Sequence, residues 1–139
     1  MDSATSRWLI PALVFVLFTG LLGVTIKLAL RHVEWPYILL WTGIVYSVLA
    51  VITLATGHAT VSFGPGVGWA ALSGLFAAVG LIGSFIALRH ADAVVAVPVM
   101  STYPVVTVLA SVAILGESVS GSKIVGVLLV LAGVVVLVR

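Results

Sequence analysis

The sequence predicts an all-α membrane protein, a bundle of five transmembrane helices, and three observations lead there. Charged residues make up 7% of the 139 residues and hydrophobic ones 63%, too little polar surface to cover a water-soluble domain of this size. No Asp, Glu, Lys or Arg occurs between Trp35 and Leu88, and the stretches Ala93 to Gly116 and Ile124 to Val138 are equally bare. Apolar runs such as VLLVLAGVVVLV at 127–138 lack the alternation that a membrane β-strand needs, so each crossing must satisfy its backbone as a helix.

A hydrocarbon core about 30 Å thick takes roughly 20 helical residues per crossing, which gives about five crossings with short connections. The first span is Trp8 to Leu30. Arg7 in front of it imitates a secretory signal, but the run is long for one and four more spans follow. The second span is Tyr37 to Thr56, the third Val67 to Leu88, the fourth Ala93 to Leu115 and the fifth Gly121 to Val138. They are joined by Arg31 to Pro36, Gly57 to Gly66, Arg89 to Asp92 and Gly116 to Ser120, links short enough to make consecutive helices antiparallel neighbours. The longest link, GHATVSFGPG, is uncharged and is expected at the membrane interface beside Trp69, as Trp8 and Trp35 are at their own span starts.

Basic residues divide by side. Lys27, Arg31, Arg89 and Arg139 fall opposite Arg7 and Lys123, so the positive-inside rule favours an outer N-terminus and an inner C-terminus. Discounting Lys27 as intramembrane narrows the margin and leaves insertion in both orientations open.

Packing signals differ among the spans. In the third, Ala70, Ser73, Ala77, Gly80, Ser84 and Ala87 follow steps of three and four, a continuous small-residue seam where another backbone can approach. The second has a looser version in Gly43, Tyr46, Ala50, Thr53 and Gly57, and the fifth offers Gly126 and Gly133.

The fourth span is the least regular, because Pro98 and Pro104 each delete a hydrogen bond to the preceding turn and should bend or open it. Ser101, Thr102 and Tyr103 surround the second proline, and Ser101, Pro104, Thr107 and Ser111 share a broad face that must look at protein or a wet cavity. Two readings stay open: a hinge that lines a solute path, and a kinked structural helix whose hydroxyls bond to their own carbonyls. Lys27, the deepest charge, shares a face with Gly20, Gly23, Arg31 and Glu34, and either snorkels to the headgroups or attracts anions to a cavity mouth. Glu117 and Lys123 occupy an interfacial turn, as a salt bridge or as a cap on the fifth helix.

Several chemistries lack their residues. There is no cysteine, His32, His58 and His90 lie in loops or at helix ends, and no carboxylate stands mid-span. Catalysis, a metal site, a cofactor and proton coupling through a buried acid therefore have no constellation to work with. The net charge of +2 sits at helix ends, which suits membrane topology and not a nucleic-acid surface.

The second half carries a pattern: ALRHAD at 87–92, VAVPVMSTYPVVTVLAS at 95–111, LGE at 115–117 and GVLLVLAGVV at 126–135. It resembles the EamA-like domain of the drug/metabolite transporter superfamily, and IKLAL at 26–30 resembles that family's first span. The resemblance covers essentially the whole chain as a single domain, 1–139. Members of the family usually carry two such five-helix domains in inverted orientation, so it implies that a partner supplies the other half, with a homodimer, even an antiparallel one, as the simplest source. The first-span glutamate that four-helix relatives use for proton coupling is absent here.

The expectation is a multi-pass protein of a bacterial inner membrane, surrounded by lipid, that moves metabolites, amino-acid-like or drug-like solutes as a facilitator or exchanger by alternating access. Its expected path residues are Lys27, Trp41, Ser84, Ser101, Thr102, Tyr103, Pro104 and Thr107. The rivals are a flippase subunit for lipid-linked headgroups, with Lys27 and Arg31 on phosphate, and a membrane subunit with a structural or regulatory role only.

Overall fold

The computed structural model describes residues 3–57, 64 and 66–138. Among the described residues six α-helices form in order: α1 Ser3–Ala29, α2 Trp35–Ala55, α3 Gly66–His90, α4 Ala93–Met100, α5 Tyr103–Ala110 and α6 Gly121–Val138, with a π-helical turn at Ser111–Leu115 between the last two. No strand occurs among the described residues. The chain divides into two compact units, Met1–His90 and Ala91–Arg139.

Four stretches are long and apolar enough to cross a membrane, Trp8–Ala29, Trp35–Ala55, Gly66–His90 and Ala93–Leu115. The fifth expected crossing is the shorter apolar stretch Gly121–Leu137. Its helix, α6, has 18 residues and so a length of about 27 Å, close to the hydrocarbon thickness only if it stands upright. The boundaries of the first three spans agree with the sequence to within a few residues. The link 57–66 lies mostly outside the described residues, as do His58, Arg139 and the Arg7 side chain.

Local chemistry sets the ends. After Ala29 the helix tightens, with the Arg31 amide bonding the Leu28 carbonyl at 3.2 Å, and Glu34 then turns extended at φ −76°, ψ 151°. Pro36 falls in the first turn of α2, where its missing N–H costs nothing. The second unit has a sharper stop. Gly116 adopts φ +67°, and its amide and that of Glu117 both reach back to the Ser111 carbonyl, closing the π turn. Gly116→Ala is therefore expected to destabilise the fold by about 1 kcal/mol, because an L side chain strains the left-handed region. Thermal unfolding in lipid nanodiscs checks this, with Gly121→Ala, in open space, as the mild control.

Within the first unit, α1 and α2 both pack on α3. Burial concentrates at one end: Gly23 and Ile26 on α1, Phe85 and Leu88 on α3. No residue of α2 is buried, and its exposed Val, Leu and Ile side chains suit lipid or another helix. The expected α3 seam is not filled by the chain's own helices along most of its length. Ala70, Ser73, Ala77 and Gly80 are exposed, Ser84 and Ala87 half-buried, and a Cβ added at Gly80 would meet nothing within 4 Å. Gly126 and Gly133 on α6 are equally open. The reason is rotational: α3 turns Phe85 toward α1 and Gly74, Ala77, Ala78 and Leu81 toward α2, leaving the other side of the stripe outward.

Candidate functional site

The helices of the first unit form two adjoining, half-open cavities. One, about 220 Å³, is walled by Leu22, Thr25, Ile26 and Ala29 of α1, Ile38, Thr42 and Tyr46 of α2, and Leu81 and Phe85 of α3. The other, about 310 Å³, lies between α2 and α3 and shares Thr42, Tyr46 and Leu81 with the first. A larger open concavity of about 650 Å³ runs along Pro36 to Val48, but a single helix walls it and it offers only Ser47 as a polar side chain.

No charged residue lines the two adjoining cavities. Their polar groups are hydroxyls. Thr25 donates to the Leu22 carbonyl at 3.0 Å and Thr42 to the Ile38 carbonyl at 2.9 Å, which satisfies both protons without water and leaves both oxygens free to accept. The Tyr46 hydroxyl has no hydrogen-bond partner among the described residues and is the one side-chain donor left for a ligand.

Polar contacts close one end of this unit. The Lys27 ammonium donates to the Leu88 carbonyl at 2.8 Å, filling an acceptor that the last turn of α3 cannot satisfy and placing a cation at the helix's negative end. Arg89 pairs with Glu34 through both terminal guanidinium nitrogens, Nη2 to Oε1 at 3.1 Å. The C-terminal ends of α1 and α3 thus meet the N-terminal end of α2, which makes α2 antiparallel to its neighbours.

In the second unit the expected fourth span is broken where Pro104 demanded it. Ser101 and Thr102 sit at ψ 2° and −6°, and the Thr102 amide bonds Val99 at 3.2 Å, three residues back. Pro104 has no N–H for the Met100 carbonyl, and its ring crowds the turn before it. Pro98, by contrast, is carried inside α4 without interruption.

Four stretches long and apolar enough to cross a membrane, an uncharged cavity and a proline-broken helix suit a membrane carrier, and the chain matches a family of that kind over residues 6–139. It belongs to the EamA-like transporter family. This EamA-like protein is accordingly a multi-pass integral membrane protein in contact with lipid, of a family whose members are transporters of the drug/metabolite type, not enzymes. No curated protein and no solved structure matches it.

The residues singled out from sequence fall at distinct places in the EamA-like chain. Lys27 is half-buried at the closed end, its amine held by protein. Trp41 is exposed, edge-on to Tyr37 with ring centroids 6.5 Å apart and 70° between planes, on a different face of α2 from Thr42 and Tyr46. Ser84 is half-buried and donates to Leu81 at 2.7 Å. Ser101 donates to Val97 at 2.8 Å, Thr102 to Val99 at 2.7 Å, Thr107 to Tyr103 at 3.3 Å and Ser111 to Val108 at 3.1 Å, so all four hydroxyls bond back along their own helix, while the Tyr103 ring is exposed. Glu117 and Lys123 are exposed and form no ion pair among the described residues; the Ser120 carbonyl receives the Lys123 and Ile124 amides instead.

Thr25, Thr42 and Tyr46 were not singled out from sequence as path residues. Their signal was present, since mid-span hydroxyls have to face protein or water. Tyr46, counted there with a packing seam, is too large for one and too polar for lipid.

Proposed function

We propose that this protein is half of a small-solute transporter, a facilitator or exchanger that works by alternating access as a homodimer in a bacterial inner membrane. The uncharged, hydroxyl-bearing cavity of α1, α2 and α3 carries this reading. It suits a metabolite or drug-like solute with an apolar body and a hydrogen-bond acceptor for Tyr46. The whole chain, 1–139, acts as one transport domain, and a second copy, parallel or antiparallel, covers the outward faces of α2 and α3. The path includes Lys27 at its closed end and Trp41, Ser84, Ser101, Thr102, Tyr103, Pro104 and Thr107, with Thr25, Thr42 and Tyr46 added. The headgroup-flippase alternative is less favoured, because no charged residue lines either cavity to receive a phosphate.

Transport follows the solute gradient in this reading. Glu34 and Asp92 immediately precede α2 and α4, and Glu117 follows the π turn, so each described acid stands at a helix end and none within a span. The test is flux in reconstituted vesicles across a panel of aromatic and aliphatic amino acids and amphipathic cations, with and without a pH gradient. Flux is expected to persist without the gradient, and Tyr46→Phe to weaken affinity about tenfold, the loss of one hydrogen bond to solute. Accumulation that requires the pH gradient would remove the passive mechanism, and no flux of any panel member by the dimer would count against transport itself.

A further inference from the structure

The walls of the cavity lead directly to the polar contacts at its closed end. Ile38, Thr42 and Tyr46 line the cavity at four-residue steps along α2, and Glu34 is the next step on that face; Leu81 and Phe85 line it on α3, and Arg89 is the next step there. The ion pair is therefore the terminal rung of the cavity wall, roughly one turn, about 6 Å, beyond its lining. Beneath it lies an apolar plug in which Phe85 is 0%, Leu88 1% and Ile26 4% exposed. Among the described residues of this unit, burial is confined to this end, whereas α1 and α3 are exposed from Leu13 to Gly20 and from Gly66 to Gly80.

We propose that Glu34–Arg89 and Lys27–Leu88 together latch a gate that seals the basic end of the α1–α3 unit. This inference rests on the transport reading above and assigns its regulation. The two contacts differ in kind. Arg89 and Glu34 side chains are 46% and 68% exposed, so water competes for them and the pair biases the gate without welding it. Lys27 joins α1 to α3 across 61 residues of sequence, and its flexible stem lets the amine exchange the Leu88 carbonyl for headgroups or water as the helices part. Opening this end separates Ile26 from Phe85 and Leu88 and connects Thr42 to the aqueous side. Alternating access then requires the far ends of α1 and α3 to approach as the basic ends separate.

That reciprocity distinguishes a gate from a structural staple. The chain has no cysteine, so spin-label pairs can be placed at Arg31→Cys with His90→Cys for the basic end and at Leu13→Cys with Gly68→Cys for the far end. Electron–electron distances are measured on the 139-residue chain in lipid nanodiscs, which needs no knowledge of the solute. Glu34→Gln is expected to lengthen the basic-end distance by on the order of 5 Å and shorten the far-end distance. The exchange Glu34→Arg with Arg89→Glu should restore both. If Glu34→Gln does not insert, Arg89→Gln releases the same latch. Unchanged distances, or basic-end separation without far-end approach, overturn the gate and leave a staple. Flux in vesicles reports on transport separately, so loss of one reading is not loss of the other.

Discussion

Phe85→Ala is expected to be the most destabilising substitution in the first unit, by about 2 kcal/mol. Phe85 is fully buried and lines the cavity against Leu22 and Ile26. Removing the ring leaves a void that its neighbours, tied by Lys27 to Leu88 and by Arg89 to Glu34, cannot collapse to fill. The figure sits below that of a water-soluble core because lipid is as apolar as the protein interior, so only lost contacts count and not transfer from water. Unfolding in mixed micelles by a graded denaturing detergent measures the difference, with Phe76→Ala as control. Phe76 is 67% exposed on the same helix and should change stability little. Equal losses at the two positions would mean that the buried cluster is not the anchor of this unit.

Pro104→Ala should separate stability from activity. Restoring an amide at 104 lets the Met100 carbonyl be bonded and the helix run unbroken from Ala93 to Ala110, so the fold should be as stable or more so. Flux should nevertheless fall about tenfold, because a straight helix removes the break at Ser101 and Thr102 that lets the two segments move against each other. Amide exchange at Thr102 and Tyr103 would slow in parallel. Unchanged flux with slowed exchange would make the broken helix a structural feature with no part in the transport cycle.

Both predictions show where the sequence was informative. The break at Pro104 was legible because a missing N–H is a local, covalent fact that no neighbour can repair. Pro98 carries the same defect and did not break α4, so the proline alone does not say which of two sites opens. The hydroxyls around Pro104 left two readings open from sequence. Their bonds back to carbonyls satisfy the donors, as the structural reading held, while leaving acceptor oxygens that the path reading can still use.

The Tyr46 donor and the α3 stripe illustrate the opposite case. A span made almost wholly of Val, Leu, Ile, Ala and Gly has no strongly polar side, so its pattern fixes no rotation about the helix axis. The small-residue stripe marks where a backbone is able to approach. It does not say that α1 would instead choose Phe85 and Leu88.

Composition, the spacing of charges, and Pro and Gly punctuation determined on their own that this chain lives in lipid as helices, and the limits of the first three spans to within a few residues. They suffice because bilayer thickness and backbone satisfaction act on every segment separately. Only the tertiary structure decided that Lys27 would spend its charge on Leu88 and that Glu34 would find Arg89 across 55 residues of sequence. Such contacts depend on the relative rotation and register of whole helices, which packing alone selects when every face is apolar.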